Sequence, residues 1–180
     1  MGAINLPSPV KPFCAILMAP GIALADIEDG LQHQFGAIDL RSVPFPFTQT
    51  TYYEREMGVG LQRVYITFDA LIGSTELIVM KHTTNRLEVE WATASGDRRV
   101  NLDPGYLDLA KVILASSKDH AHRLYLGAGI YAEITLRYTR KQFQAWDWTY
   151  PDYRLPATRA FFEQVREQYK RQQRQQSETG

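Results

Sequence analysis

Apolar residues recur along this chain with two periods, and the switches between them divide it into elements. Residues 12–18 form an apolar run that stops at Pro20-Gly21, which predicts a first strand ending in a turn. Ile22, Leu24, Ile27, Leu31 and Phe35 then share one helical face, with Gly36 placed to cap it. Pro44 and Pro46 interrupt residues 38–47, so that stretch is expected to be an edge strand or an extended loop. Residues 48–60 are polar and aperiodic, a loop or a cover over something. In residues 62–68, Val64, Ile66 and Phe68 alternate with Arg63, Tyr65 and Thr67, the period of a half-buried strand.

The second half repeats the alternation of periods. Leu77, Met80, Thr84, Leu87 and Trp91 fall at helical steps, which predicts a helix over residues 75–92. Leu87-Glu-Val-Glu-Trp91 also alternates, leaving a strand as the alternative there. On the helix, Lys81, Asn85 and Glu88 form a polar stripe of their own. Residues 98–102 lead into Asp103-Pro104-Gly105, whose Pro and Gly suit a type II turn that would fix Asp103 at a strand end. Residues 107–115 are apolar enough for one buried element. Residues 122–138 make a hairpin around Gly127-Ala128-Gly129, in a register that sets Tyr125 opposite Tyr131 and Arg123 opposite Glu133, with the other face wholly apolar. Residues 143–153 read as an aromatic loop, and Pro156 can open a last helix whose stripe is Phe161, Phe162, Val165 and Tyr169.

The expected fold class is therefore α+β: a mixed, mostly antiparallel sheet with helices packed on one face, a ferredoxin-like core extended by the hairpin. Helices 22–35 and 75–92 would cover one side, leaving the other to the aromatic loops and the last helix. The chain is expected to form a single domain over 1–180, with frayed or disordered ends at about 1–10 and 172–180.

Composition narrows the setting. At 180 residues and 44% hydrophobic content, the chain is long enough to bury a core without metal or disulfide. Twenty basic and twenty acidic residues leave no net pull toward nucleic acid or an anionic membrane. The basic last helix, with Arg166, Lys170 and Arg171 among its charges, is read as solubilising surface. No window approaches the roughly 18 apolar residues of a membrane span, and the start of the chain offers no signal peptide, which points to the cytoplasm. Cys14 sits inside the first apolar run and is expected to be a small buried hydrophobe, in keeping with a reducing compartment.

Candidate chemistry centres on Asn101, Asp103 and Tyr106, with Arg98 upstream and Lys118 downstream. A rigid turn carrying directed oxygens would position a hydroxyl, a metal or a general base; the alternative is that Asp103 only caps its own turn. Arg123 and Glu133, as an exposed pair, would contribute only a few tenths of a kcal/mol. They gain meaning if a ligand lies on their face, where Arg123 would grip a phosphate or carboxylate held in line by Glu133. Tyr52, Tyr53 and Glu56 would make a lid. His120 and His122 lack a third nearby ligand, so zinc is not expected. Nucleotide-binding, nucleophile-elbow and paired-cysteine motifs are missing from the sequence, so no cofactor is identifiable and a divalent ion is the one left open.

Two functions follow. One is an enzyme acting on a small phosphorylated or nucleotide-like ligand. In it Asp103 or Glu133 serves as base or metal ligand; Arg98, Lys118 and Arg123 offset the ligand's charge; Tyr106 and Tyr131 stack or donate hydrogen bonds; and the Lys81, Asn85 and Glu88 stripe joins them. The other is a non-catalytic module that binds protein or RNA through an aromatic surface, the RNA version being weakened by the balanced charge.

Pro9-Val-Lys-Pro12, Phe35-Gly-Ala-Ile-Asp39, Lys81-His-Thr-Thr-Asn85, Val100-Asn-Leu-Asp-Pro-Gly-Tyr-Leu107, His122-Arg-Leu-Tyr-Leu126, Gly129-Ile-Tyr-Ala-Glu133 and Thr149-Tyr-Pro-Asp-Tyr153 together resemble the uncharacterised bacterial family known as domain of unknown function 4416. The resemblance reaches to about Tyr169. It implies a bacterial cytosolic domain and, because the family has no established activity, it assigns no substrate and no catalytic residue.

Overall fold

The computed structural model describes residues 3–179, apart from the side chains of residues 177 and 179. Its centre is strand β1 (Lys11–Met18), every residue of which is buried. Alternation sends Phe13 and Ala15 to one face and Cys14, Ile16 and Met18 to the other. Both sets enter cores, which is why the segment reads as a continuous apolar run. Cys14 packs as an inert hydrophobe, and burial pushes its thiol pKa up.

Helix α1 (Leu24–Phe35) follows, then the short edge strands β2 (Ile38–Arg41) and β3 (Phe45–Pro46), a single helical turn α2 (Glu54–Met57) and strand β4 (Gln62–Phe68). Helix α3 (Leu77–Glu90) resolves residues 87–91 in favour of the helix. Strands β5 (Val100–Leu107), β6 (Lys111–Ser116), β7 (Leu124–Gly127), β8 (Ile130–Thr139) and β9 (Gln142–Ala145) complete the sheet before helix α4 (Pro156–Thr179). The sheet order is β2-β4-β1-β5-β6-β8-β7, with β3 on β4 and β9 on β8, and the pairings between these strands are antiparallel.

The fold is α+β, an antiparallel sheet with α1 and α3 packed on one face. Ile27, Leu31, Met80 and Leu87 close over Cys14, Ile16, Val64, Ile66 and Leu102 there. The opposite face is taken by α4, whose Phe161, Phe162, Val165 and Tyr169 meet Phe13, Tyr65, Leu114 and Phe143. Each such fully buried ring contributes on the order of 1.5–3 kcal/mol by leaving water.

Several local expectations change for identifiable reasons. Strand β4 is buried on both faces because Phe47 and Asp152 cover Arg63, α4 covers Tyr65 and Asp39 meets Thr67, on the side its pattern assigned to partial exposure. Residues 107–115 are two strands joined at Asp108, whose carboxylate accepts the Ala110 and Lys111 amides at 2.7 and 2.9 Å. Part of the aromatic loop is strand β9. The β7/β8 hairpin keeps the expected register, Tyr125 opposite Tyr131. Its apolar face is covered only in part: Ile130 and Ala132 are buried, but β7 is a sheet edge and Leu124 is 75% exposed. Helix α4 continues through residues 172–179, where Gln172 bonds to Asp69; of the ends expected to be loose, residues 1, 2 and 180 lie outside the described residues.

The largest change concerns residues 101–106. They are not a turn but the middle of β5, paired along its whole length with β1. On the other side, pairing with β6 runs only from Gly105↔Leu114 to Leu107↔Val112. The Leu102 amide and carbonyl both face this unpaired edge, where they meet side chains of α3. Pro104, two residues on, points the same way, so its missing N–H falls where the ladder ends. Gly105 answers to packing and not to backbone conformation: a Cβ there would collide with the Ile113 carbonyl and the Phe13 ring.

Candidate active site

Because β5 and β6 part company beyond Gly105 and Leu114, a gap opens in the sheet. It leads into a cavity of about 600 Å³. Strand alternation puts Asn101 and Asp103 on its β5 wall, while Ser116, Ser117 and Lys118 at the end of β6 form the wall opposite. Lys81, Asn85 and Glu88 line it from α3, so the polar stripe seen in the sequence is aimed through the gap. Aromatic rings from Phe47, Tyr52, Tyr53, Tyr150 and Tyr153 close the remainder.

Of the eleven residues singled out by sequence, Lys81, Asn85, Glu88, Arg98, Asn101, Asp103, Lys118, Arg123 and Glu133 line this cavity. Tyr106 and Tyr131 do not. Tyr106 follows Gly105 onto the opposite face of β5, where it packs against the cluster around Leu77 and Ile113. Tyr131 pairs with Tyr125 in the hairpin, ring centroids 5.2 Å apart, outside the cavity.

The β5 wall is a chain of charge-assisted bonds. Arg98 grips Glu56 with Nε and Nη2, both at 2.7 Å, and its Nη1 donates to Asn101 Oδ1 at 2.8 Å. Asn101 Nδ2 donates in turn to Asp103 Oδ2 at 2.7 Å, and Lys81 Nζ stands 3.4 Å from Asp103 Oδ1. Asp103 is therefore held by its neighbours, and the capping role considered for it as a turn residue does not arise. Hydrogen bonding to Arg98 lowers the Glu56 pKa, and the same contact raises that of Arg98. Burial raises the Glu88 pKa against the pull of Lys81 and of the Leu102 amide, with the Asp103 charge adding to the rise.

Across the cavity, Arg123 and Glu133 form the expected pair at 2.8 Å, but as a buried one: their side chains are 3% and 1% exposed. The exposure expected for them fails because residues 116–118 and Tyr150 cover that face. Arg123 also donates to Ser116 Oγ, the Lys118 carbonyl and Tyr150 Oη at 2.7, 2.8 and 2.6 Å, which uses four of its five N–H groups. It shapes the wall and has little left with which to grip a ligand. Glu133 Oε2 is shared with His122 Nε2 at 3.1 Å, so this carboxylate anchors its surroundings.

The loop over residues 48–60 contributes side chains to the cavity wall. Tyr52 and Tyr53 line the cavity, Glu56 holds Arg98, and Tyr52 Oη accepts from Lys118 Nζ at 2.7 Å, a contact that lowers the Tyr52 pKa. His120 and His122 stack 5.9 Å apart with nearly parallel rings, and His122 stacks on Trp148; among the described residues no three His, Cys, Asp or Glu side chains gather to hold a metal ion. Sequence reasoning missed Arg63, Asp152 and Tyr153. Arg63 stands on the polar side of an alternating strand, and only Phe47 and Asp152, both distant in sequence, turn it inward.

This combination, a polar and aromatic cavity opening through a split in an antiparallel sheet, has the form of a small-molecule site. The chain belongs to the family described as a domain of unknown function, DUF4416, whose profile matches residues 8–169. No curated protein and no solved structure matches it. Among the described residues no helix is long and apolar enough to cross a membrane.

Proposed function

We propose that the cavity binds a small phosphorylated or nucleotide-like ligand and that the protein acts on it as an enzyme, with Asp103 as the reacting base. The convergence of nine independently selected polar side chains on one cavity of about 600 Å³ carries this reading. Five cationic side chains against four carboxylates in the lining favour a ligand of low charge, a monophosphate before a triphosphate. The tyrosine rings offer faces for a planar group. Glu88, whose raised pKa suits a proton donor, lies within electrostatic reach of Asp103, the pairing of unlike carboxyl environments that acid–base catalysis uses. Glu133 takes a positioning role, because its Oε2 is shared by Arg123 and His122 and its Oε1 accepts from Thr135 Oγ1. A divalent ion is not required by this scheme.

The same reading treats residues 1–180 as one domain of a bacterial cytosolic protein. The strand order β2-β4-β1-β5, with α1 and α3 on one face, supports a ferredoxin-like core extended by β6 and the β7/β8 hairpin. The binding-module alternative is favoured by one observation, the exposed edge of Leu124, Tyr125 and Leu126.

A thermal-shift screen with nucleoside monophosphates, sugar phosphates and divalent ions tests the enzyme reading. A stabilising ligand whose effect disappears in Asp103→Asn, with the unliganded midpoint unchanged, is the expected result. Silence across the panel transfers the weight to the edge-binding module.

A further inference from the structure

Four of the cavity's cations are committed to protein acceptors: Lys81 to the Leu102 carbonyl, Arg98 to Glu56 and Asn101, Lys118 to Tyr52, and Arg123 to Glu133 and its neighbours. Arg63 differs. It projects from β4 into the cavity wall, 4% exposed, with its guanidinium carbon 5.0 Å from the centre of the Phe47 ring. Its Nε lies 3.0 Å from Asp152 Oδ2 but out of line for a hydrogen bond, and its Nη1 has no hydrogen-bond partner among the described residues. Tyr153, 2% exposed and lining the same cavity, likewise carries an Oη without a partner among the described residues.

Orphaned donor atoms on two residues lining one cavity are an unusual expense. Each costs about 1–3 kcal/mol when shut away from water and left unpaired. Both keep the form in which they donate. Burial works against the Arg63 charge, but the Asp152 carboxylate and the surrounding phenols outweigh it and raise the pKa; burial pushes the Tyr153 phenol well up. Asp152 accepts a hydrogen bond from Tyr65 Oη at 2.9 Å and meets Arg63 only as an ion pair on its Nε side, so it does not occupy Nη1.

We infer that Arg63 and Tyr153 form an anion-receiving subsite at the inner wall of the cavity, for the phosphate or carboxylate end of the ligand. The inference rests on the cavity being the ligand site and assigns the end of the ligand that enters first. It also gives Tyr153 a signature that a purely structural tyrosine lacks. Removing an unpartnered buried hydroxyl leaves the unliganded protein as stable as before or more so, while weakening the ligand.

The experiment titrates inorganic phosphate and acetate, separately, onto the full chain and onto the Tyr153→Phe and Arg63→Lys variants, by calorimetry with parallel urea melts. Arg63→Lys keeps a cation beside Asp152 while removing Nη1. The expected result is saturable binding of at least one anion, weakened about tenfold or more in Y153F, as for one lost hydrogen bond to a charged group, with an unfolding midpoint equal to or above that of the parent. Preference for phosphate or for acetate identifies the group. Anion affinity unchanged in both variants overturns the subsite, as does a midpoint lowered in Y153F, which would show the hydroxyl to be held within the fold. A nucleotide or sugar phosphate that binds the parent and Y153F equally leaves the cavity standing as a ligand site and removes only the subsite; no response to these ligands or to either anion removes both.

Discussion

Glu88 accepts the Leu102 amide at 2.7 Å and so occupies the place of a neighbouring strand. Lys81, from the same helix, donates to the Leu102 carbonyl at 3.0 Å. These two side chains satisfy the backbone edge that the divergence of β6 leaves unpaired, and they let the gap stay open without stranding buried polar groups. Site and sheet are thus built from one device. Glu88→Ala strands the Leu102 N–H and is expected to cost about 1–3 kcal/mol in urea denaturation.

Glu88→Gln keeps an acceptor oxygen and separates geometry from charge. Burial raises the folded-state pKa of Glu88 above the ordinary glutamate value of 4.5. Its contribution to stability is therefore fully present below that value and is lost as pH rises through the folded pKa. A glutamine does not titrate, so the stability of Glu88→Gln relative to the parent should improve as pH rises from about 4.5 through the raised folded pKa. Urea melts at matched pH values measure the difference; a flat difference means that Glu88 does not carry the expected burial penalty.

The segment around Tyr52 and Glu56 is held against the cavity by the Glu56–Arg98 fork and by the Tyr52–Lys118 contact. Arg98 depresses the Glu56 pKa, so the holding energy is present above the ordinary carboxylate range and fades as pH falls through the lowered value. Both side chains of the fork are about one third exposed, which screens the interaction. Heteronuclear NOE values for residues 50–58 should drop on acidification in the parent. In Glu56→Gln they should be low already at neutral pH and change little on acidification.

Gly105 faces the Phe13 ring and the Ile113 carbonyl with no room for a methyl group. Gly105→Ala is expected to destabilise by about 1–3 kcal/mol through overpacking. Phe13→Leu introduced alongside it should recover only part of that loss, since the carbonyl does not move with the ring. Chemical denaturation of the two singles and the double checks this.

The fold was legible where one period ran without competition, as in β1, α1 and the β7/β8 hairpin; in α3 the helical period prevails over the alternation that competes with it at residues 87–91. Asp103-Pro104-Gly105 was misread because Pro and Gly serve turns far more often than they serve packing. Here Pro104 marks the edge of a divergent pairing and Gly105 makes room for Phe13, and both facts depend on strands distant in sequence. The site residues on β5, α3 and β8 were visible as polar groups on regular elements. Arg63 and Tyr153 were not, because their burial is created by packing between segments distant in sequence, Phe47 and Asp152 in the case of Arg63, and no local pattern reports which face a distant segment will cover. Tyr106 was overvalued for its nearness to Asp103, although a residue three places along a strand points to the opposite face.

Arg123 and Glu133 tell whether the buried pair serves stability or the shape of the cavity. Removing one partner, as in Arg123→Met, leaves Glu133 buried with only His122 as a basic neighbour, and about 3–5 kcal/mol should be lost. Replacing both by apolar residues of similar volume, as in Arg123→Met with Glu133→Leu, removes the uncompensated charge and should restore most of that loss, because desolvating an ion pair offsets much of its attraction. The double variant nevertheless lacks the donors that hold Tyr150 Oη, Ser116 and the Lys118 carbonyl in place. If the pair exists to shape the wall, the double variant melts near the parent but no longer responds to a ligand found in the thermal-shift screen. A double variant that keeps both stability and ligand response would reduce the pair to a dispensable feature of the hairpin.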